Sequence, residues 1–204
     1  MVEPKAHTPN REQRWHSLKE HLEAVSCLAG GFAQAFGTPS LGKALALLHD
    51  LGKATKDFQA YLQVAAEGKR ANSVPHAVWG AALAYMALDR GRCEGWQALG
   101  LPVMGHHAGL PRKGEAAIKL AQALKEEAFK EVAAFLLRSS ELRAKLEGLL
   151  KEALEEVRSK TKGDPLRLEF LIRMAFSALV DADYLDTEAH FDPGAARLRQ
   201  EGTP

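Results

Sequence analysis

Cysteine is scarce: Cys27 and Cys93 are the only two in 204 residues, and no metal-binding spacing relates them. That argues against a disulfide-stapled fold and a thiolate metal site, and it fits reduced thiols inside a cell. An excess of one charge is also lacking. Lysine and arginine total 27 against 26 acidic residues, a formal net charge of +1. There is no basic coat for a polyanion and no acidic tail, so any hold on nucleic acid must come from local clusters or a metal centre. Long hydrophobic runs are missing as well. The longest nearly unbroken one, Ala77 to Leu88, is shorter than the roughly 20 residues that span a bilayer. The N-terminus has no apolar signal-peptide core. The expectation is a soluble cytoplasmic protein without membrane association.

What the chain does contain is helical periodicity. Leu18, Leu22, Val25, Leu28, Phe32 and Phe36 recur at spacings of three and four, which predicts a helix from about Ser17 to Phe36. Gly37 and Pro39 break it, and Ser40 is the expected cap of a second helix that ends with His49 and Asp50. Thr55 is the expected cap of a third. Residues 68–73 are polar and read as a loop, and Pro75 is expected to open a helix carrying His76. The stretch from Trp96 to Met104 leads into Gly105, His106 and His107. Helical patterns rich in charge, alanine and leucine follow from about Lys113 to Leu137 and from Ser140 to Arg158. Asp164 caps a last apolar helix from Leu166 to about Asp186. No strand alternation is convincing, and there is no internal repeat. The length favours one domain with a real core. The fold class expected is all-α, a compact single-domain helical bundle over residues 1–190, with 191–204 as a tail or the start of a linker.

The most informative stretch is His49-Asp50, followed by Leu51-Gly52-Lys53. An imidazole nitrogen and a carboxylate side by side suit a divalent metal, with Gly52 expected to end the helix where the ligands open toward substrate. Adjacent helical residues point roughly 100° apart, so such a pair serves at a helix end or serves two neighbouring ions. An aspartate can bridge two ions, because each oxygen can take one. His21, His76, the pair His106-His107 and the acidic residues Asp181 and Asp183 supply further ligands. Mixed imidazole and carboxylate ligands suit first-row metals. Two such ions favour phosphoester hydrolysis by activating water and offsetting charge on the phosphoryl group. Lys53 stands ready to hold the attacked phosphate or to tune Asp50. His7, His16 and His190 read as ordinary packing or surface histidines.

This ordered set resembles the HD superfamily of metal-dependent phosphohydrolases, and more closely the HD nuclease of type I CRISPR interference. Supporting context is Leu18-Lys19-Glu20-His21-Leu22, Asp57-Phe58-Gln59 and the segment from Ser177 to Glu188. The similarity runs from about Ala6 to Glu188. It implies one metal on His21, His49, Asp50 and Asp183, and a second on Asp50, His76, His106 and His107. His16 competes with His21, and Asp181 with Asp183; matching flanking residues favour His21 and Asp183. Asp50 and Lys53 are the catalytic pair in this reading. Manganese, nickel, cobalt or iron are the expected metals, with magnesium or zinc compatible. The resemblance implies an endonuclease for single-stranded DNA that works with a helicase, separate or fused, and with the CRISPR RNA-guided surveillance complex.

Two rivals stand beside this reading: a small-nucleotide phosphohydrolase of the same superfamily, and a metal-stabilised adaptor that docks a helicase without doing chemistry. Residues 37–44 nearly spell a phosphate-binding loop, but Ala44 stands where a serine or threonine should hold magnesium. The expectation there is a helix stop and a new start. Lys69-Arg70 and Arg112-Lys113 flank the histidines and are candidates to guide a DNA backbone. Among the tryptophans, Trp79 is expected in the core, and Trp15 is the better candidate to stack a base.

Overall fold

The computed structural model describes residues 3–93 and 95–201. The chain begins with an antiparallel pair of very short strands, β1 (Lys5–His7) and β2 (His16–Ser17), which place His7 opposite His16. The sequence predicts no strand. Three and two residues are too few to show alternation, so the pair carries no periodic signal.

Helix α1 (Leu18–Gln34) follows directly. Ser17 caps it by accepting from the Glu20 amide, and Glu20 reaches back to the Ser17 amide in a full capping box. Helix α2 (Pro39–His49) is the centre of the molecule. From Ser40 to His49 every residue except Lys43 is buried, and α1, α4 (Ala77–Ala87), α5 (Trp96–Gly105), α8 (Ser140–Thr161) and α9 (Pro165–Phe191) all pack around it. Leu41, Leu45, Leu47 and Leu48 are fully enclosed. Each contributes about 2 kcal/mol of apolar burial, so this helix anchors the core.

The start of α2 differs from expectation. Pro39 occupies the first turn, and the Ser40 side chain does not cap the helix. The Ser40 and Leu41 amides instead donate to the Glu156 carboxylate, while the Ser40 hydroxyl donates to Glu152. Both acids lie on α8, more than a hundred residues away. The anion-binding end of α2 is therefore filled by the protein's own carboxylate, which suits a helix start and leaves no phosphate loop.

A 3-10 turn (Leu51–Ala54) leads to α3 (Lys56–Ala66), whose cap is Thr55. Helix α4 (Ala77–Ala87) begins one residue after His76, so His76 sits at the cap position and not within the helix. Helix α5 (Trp96–Gly105) ends at the double histidine. The pattern from 113 to 137 divides into α6 (Lys113–Ala123) and α7 (Glu127–Arg138), and α8 (Ser140–Thr161) follows. Helix α9 (Pro165–Phe191), capped by Asp164, runs five residues beyond the expected end. Residues 193–201 form α10 (Pro193–Glu201), tied back to α9 by Arg199 donating to both oxygens of Glu188 at 2.7 and 2.9 Å. The result is an all-α bundle with one core.

Two glycines set how closely the central helices approach. At Gly42 a Cβ would lie against the Ala29 carbonyl, and at Gly80 it would lie on the Leu48 carbonyl. These close approaches fix α1 and α4 against α2 beside His49 and Asp50. No helix among the described residues is long and apolar enough to cross a membrane.

Candidate metal centre

Helix ends converge on Asp50. The last residue of α2 is His49, and Asp50 caps it with φ −113° and ψ 12°. A carboxylate at a helix C-terminus faces the negative end of the dipole, which is unfavourable unless cations or hydrogen-bond donors surround it. His106 is the C-cap of α5, and His107 follows it. His76 precedes α4, His21 lies in the first turns of α1, and Asp183 projects from α9. The sequence places the end of α2 at Gly52, but the helix has already ended three residues earlier. The missing side chain of Gly52 instead lets the 3-10 turn touch the backbone of His76, where a Cβ would collide with the carbonyl oxygen.

The two oxygens of Asp50 face different partners. Oδ2 lies 3.0 Å from His21 Nε2, 3.4 Å from His49 Nε2 and 2.6 Å from Lys53 Nζ. Oδ1 lies 3.3 Å from His76 Nε2 and 3.4 Å from His106 Nε2. Asp183 Oδ1 completes the first side at 3.5 Å from His21 Nε2 and 3.6 Å from His49 Nε2. His107 Nε2 completes the second at 2.8 Å from His76 Nε2. Two groups of potential ligand atoms thus share Asp50: one with His21, His49 and Asp183, the other with His76, His106 and His107. Of the competing residues, Asp181 is exposed on α9. His16 points Nε2 at Asp186, 3.7 Å away, and lies outside both groups.

The imidazoles are oriented for ligation. His49 donates Nδ1–H to the Ala46 carbonyl at 2.6 Å, His106 to Val103 at 2.8 Å, and His76 to Val74 at 3.2 Å. His21 donates Nδ1–H to Asp186 Oδ2 at 2.6 Å. Each pinned Nδ1–H turns Nε2 toward Asp50 and its neighbours, where loss of the Nε2 proton to an incoming cation would expose a lone pair, the arrangement that supports metal-bound histidines. His49 Nε2, Asp50 Oδ1 and His106 Nε2 are buried and have no hydrogen-bond partner among the described residues. Leaving one such atom unsatisfied costs about 1–3 kcal/mol, and three meeting at one place fit divalent cations. Sequence reasoning missed Asp186. Its signal was the spacing of three from Asp183, which places both carboxylates on one face of α9.

The electrostatics agree. Burial alone would raise the Asp50 carboxyl, but the charges of His49 and Lys53 outweigh it and hold the group well below the usual range. Burial opposes protonation of His49, yet the carboxylates of Asp50 and Asp183 raise it overall. His107, exposed along one edge, is pushed down to about 4 by the partial desolvation of its ring and by its neighbours His106 and His76. It is therefore neutral near pH 7. His21, His49, Asp50 and His106 are buried, His76 and Asp183 are half-buried, and His107 is exposed. The centre therefore opens on the His76–His107 side. The exposed pairs Lys69-Arg70 and Arg112-Lys113 lie on the segments flanking those two histidines. Trp79 and Trp15 are both half-buried, and Trp96 is enclosed in the core.

A helical bundle that brings imidazoles and a second carboxylate from separate helices to one shared aspartate is the arrangement of an HD-type metal-dependent phosphohydrolase domain. Within that class, the family model described as Cas3, HD domain, matches residues 5–181, and the chain belongs to that family. Membership carries a CRISPR context and a metal-dependent nuclease role. A comparison with curated proteins found no match.

Proposed function

We propose that this protein is an endonuclease that hydrolyses phosphodiester bonds of single-stranded DNA in CRISPR interference, with residues 1–190 as the catalytic unit. The observation that carries the reading is the division of Asp50, with Oδ2 toward His21 and His49 and Oδ1 toward His76 and His106. In this reading His21, His49, Asp50 and Asp183 hold one divalent cation, and Asp50, His76, His106 and His107 hold a second. When bound, the cations supply an activated water and offset the charge that develops on the phosphoryl oxygens.

The chain's own residues do the rest. Asp50 fixes the spacing of the two positions. His107 and His76 stand at the mouth and set the side from which a strand enters. Lys53 is buried and held on Asp50 Oδ2 at 2.6 Å, with its ammonium 5.7 Å from the centre of the Phe58 ring. That placement makes it a tuner of Asp50 and argues against direct contact with the scissile phosphate. A helicase partner and the RNA-guided surveillance complex would supply unwound DNA. The exposed basic pairs on the segments flanking His76 and His107 offer backbone contacts for it.

Circular single-stranded DNA provides the test, because it has no ends. Linearisation by the purified chain with manganese or nickel, lost in Asp50→Ala, supports the endonuclease. Hydrolysis restricted to mononucleotides would favour the small-nucleotide rival. Metal binding without turnover on any phosphoester would favour the adaptor.

A further inference from the structure

His7, His16 and Asp186 play no part in the two ligand groups around Asp50, yet they are not scattered. The β1–β2 pair sets His7 against His16, and the late turns of α9 bring Asp186 beside them. Proton positions can be traced from Lys53, whose ammonium only donates. Its Nζ lies 3.2 Å from His7 Nε2, so that nitrogen accepts. An imidazole whose Nε2 accepts carries a single ring proton. The single ring proton of His7 is therefore on Nδ1, and it is donated to His16 Nδ1 at 3.1 Å. The proton of His16 is then on Nε2, facing Asp186 Oδ2 at 3.7 Å. The same oxygen accepts from His21 Nδ1–H at 2.6 Å. His21 Nε2 faces Asp50 Oδ2 at 3.0 Å, and Lys53 holds that oxygen from the other side.

We propose that Lys53, His7, His16, Asp186 and His21 form a ring of side chains around Asp50 Oδ2, hydrogen-bonded from Lys53 to His16 and from Asp186 to His21 and joined by charge between His16 and Asp186, that fixes the tautomers of His7 and His16 and the orientation of His21. His7, His16 and Asp186 are its positioning residues, and they hold His21 Nε2 toward the first cation. The inference rests on the two-cation reading of the centre. His7, His16 and His21 also lie close enough together to hold an ion of their own. The ring explains their proximity without one, because both nitrogens of His7 and Nδ1 of His21 already have partners and Nε2 of His21 faces the first cation position.

The test combines tautomers with metal binding. Long-range nitrogen-15 NMR of the metal-free full chain near pH 7 should show His7 protonated at Nδ1 and His16 at Nε2. Calorimetric titration with manganese should show Asp186→Asn weakened by about 10–100-fold, the usual effect of losing an outer partner of a ligating histidine. Asp50→Ala, titrated in parallel, should lose binding altogether. Wild-type affinity in Asp50→Ala would mean the two-cation reading itself is wrong. Where Asp50→Ala fails to bind, wild-type affinity in Asp186→Asn overturns the ring. So does a His7 ring protonated at Nε2, which needs no variant to observe. A third manganese that is lost in His16→Gln also overturns it.

Discussion

Gly80 packs directly onto the backbone of Leu48, and a Cβ at Gly80 would fall on the Leu48 carbonyl oxygen. Leu48 is one residue before His49, while Gly80 is in the first turn and a half of α4, the helix that begins just after His76. This helix–helix approach therefore sets the distance between the Asp50 and His76 sides of the centre. Gly80→Ala should cost about 1–3 kcal/mol through overpacking, partly offset by the roughly 1 kcal/mol that alanine gains in a helix. Urea unfolding reads the stability, and manganese titration reads whether the two sides have separated. Unchanged stability and affinity would contradict this packing.

The unsatisfied atoms of His49, Asp50 and His106 make metal a stabiliser of the fold. Manganese at about 100 times its dissociation constant should add about 2.7 kcal/mol per site, seen as a rise in Tm. Asp50→Ala should show no such rise. A Tm indifferent to manganese in the wild-type chain would contradict the fit of the site to cations.

The two ligand groups differ in burial, so their variants should differ in kind. His107 is exposed, and His107→Ala should keep wild-type stability while retaining one bound metal instead of two. His49 is fully buried. His49→Ala should lose stability by about 2 kcal/mol or more, because it opens a cavity beside two carboxylates. Thermal unfolding together with metal counting by mass spectrometry separates the cases. Equal behaviour of the two variants would argue against the division.

Removing the exposed charges on the segments that precede His76 and follow His107 should weaken nucleic-acid binding without touching the centre. Lys69→Ala with Arg70→Ala, or Arg112→Ala with Lys113→Ala, should lower affinity for single-stranded DNA. The slope of log affinity against log salt should flatten by about 0.7 for each phosphate that the variant no longer neutralises. Manganese affinity should stay unchanged. An unaltered salt slope would place the DNA path elsewhere.

Much of this arrangement is legible in the sequence where the signal is local. The leucines of α2 and the caps Thr55 and Asp164 all lie within one helix or turn. The pairs His49-Asp50 and His106-His107 mark candidate ligands because adjacent ligands need a helix end, and both lie at one. What stays hidden depends on distant partners. Glu156 takes the amides at the start of α2 across more than a hundred residues. Gly52 is required by the approach of the His76 backbone, which no nearby residue reveals. His7 and His16 look ordinary because the strand pair that joins them is too short to leave a pattern. The break between α6 and α7 carries neither glycine nor proline, and the continuous charge pattern conceals it.

Anomalous diffraction from crystals soaked in manganese would locate the ions outright. Two peaks are expected, one on either side of Asp50. One should be bound by His21, His49 and Asp183, and the other by His76, His106 and His107. A single ion with Asp50 ligating through one oxygen, or peaks remote from Asp50, would overturn the shared-aspartate centre.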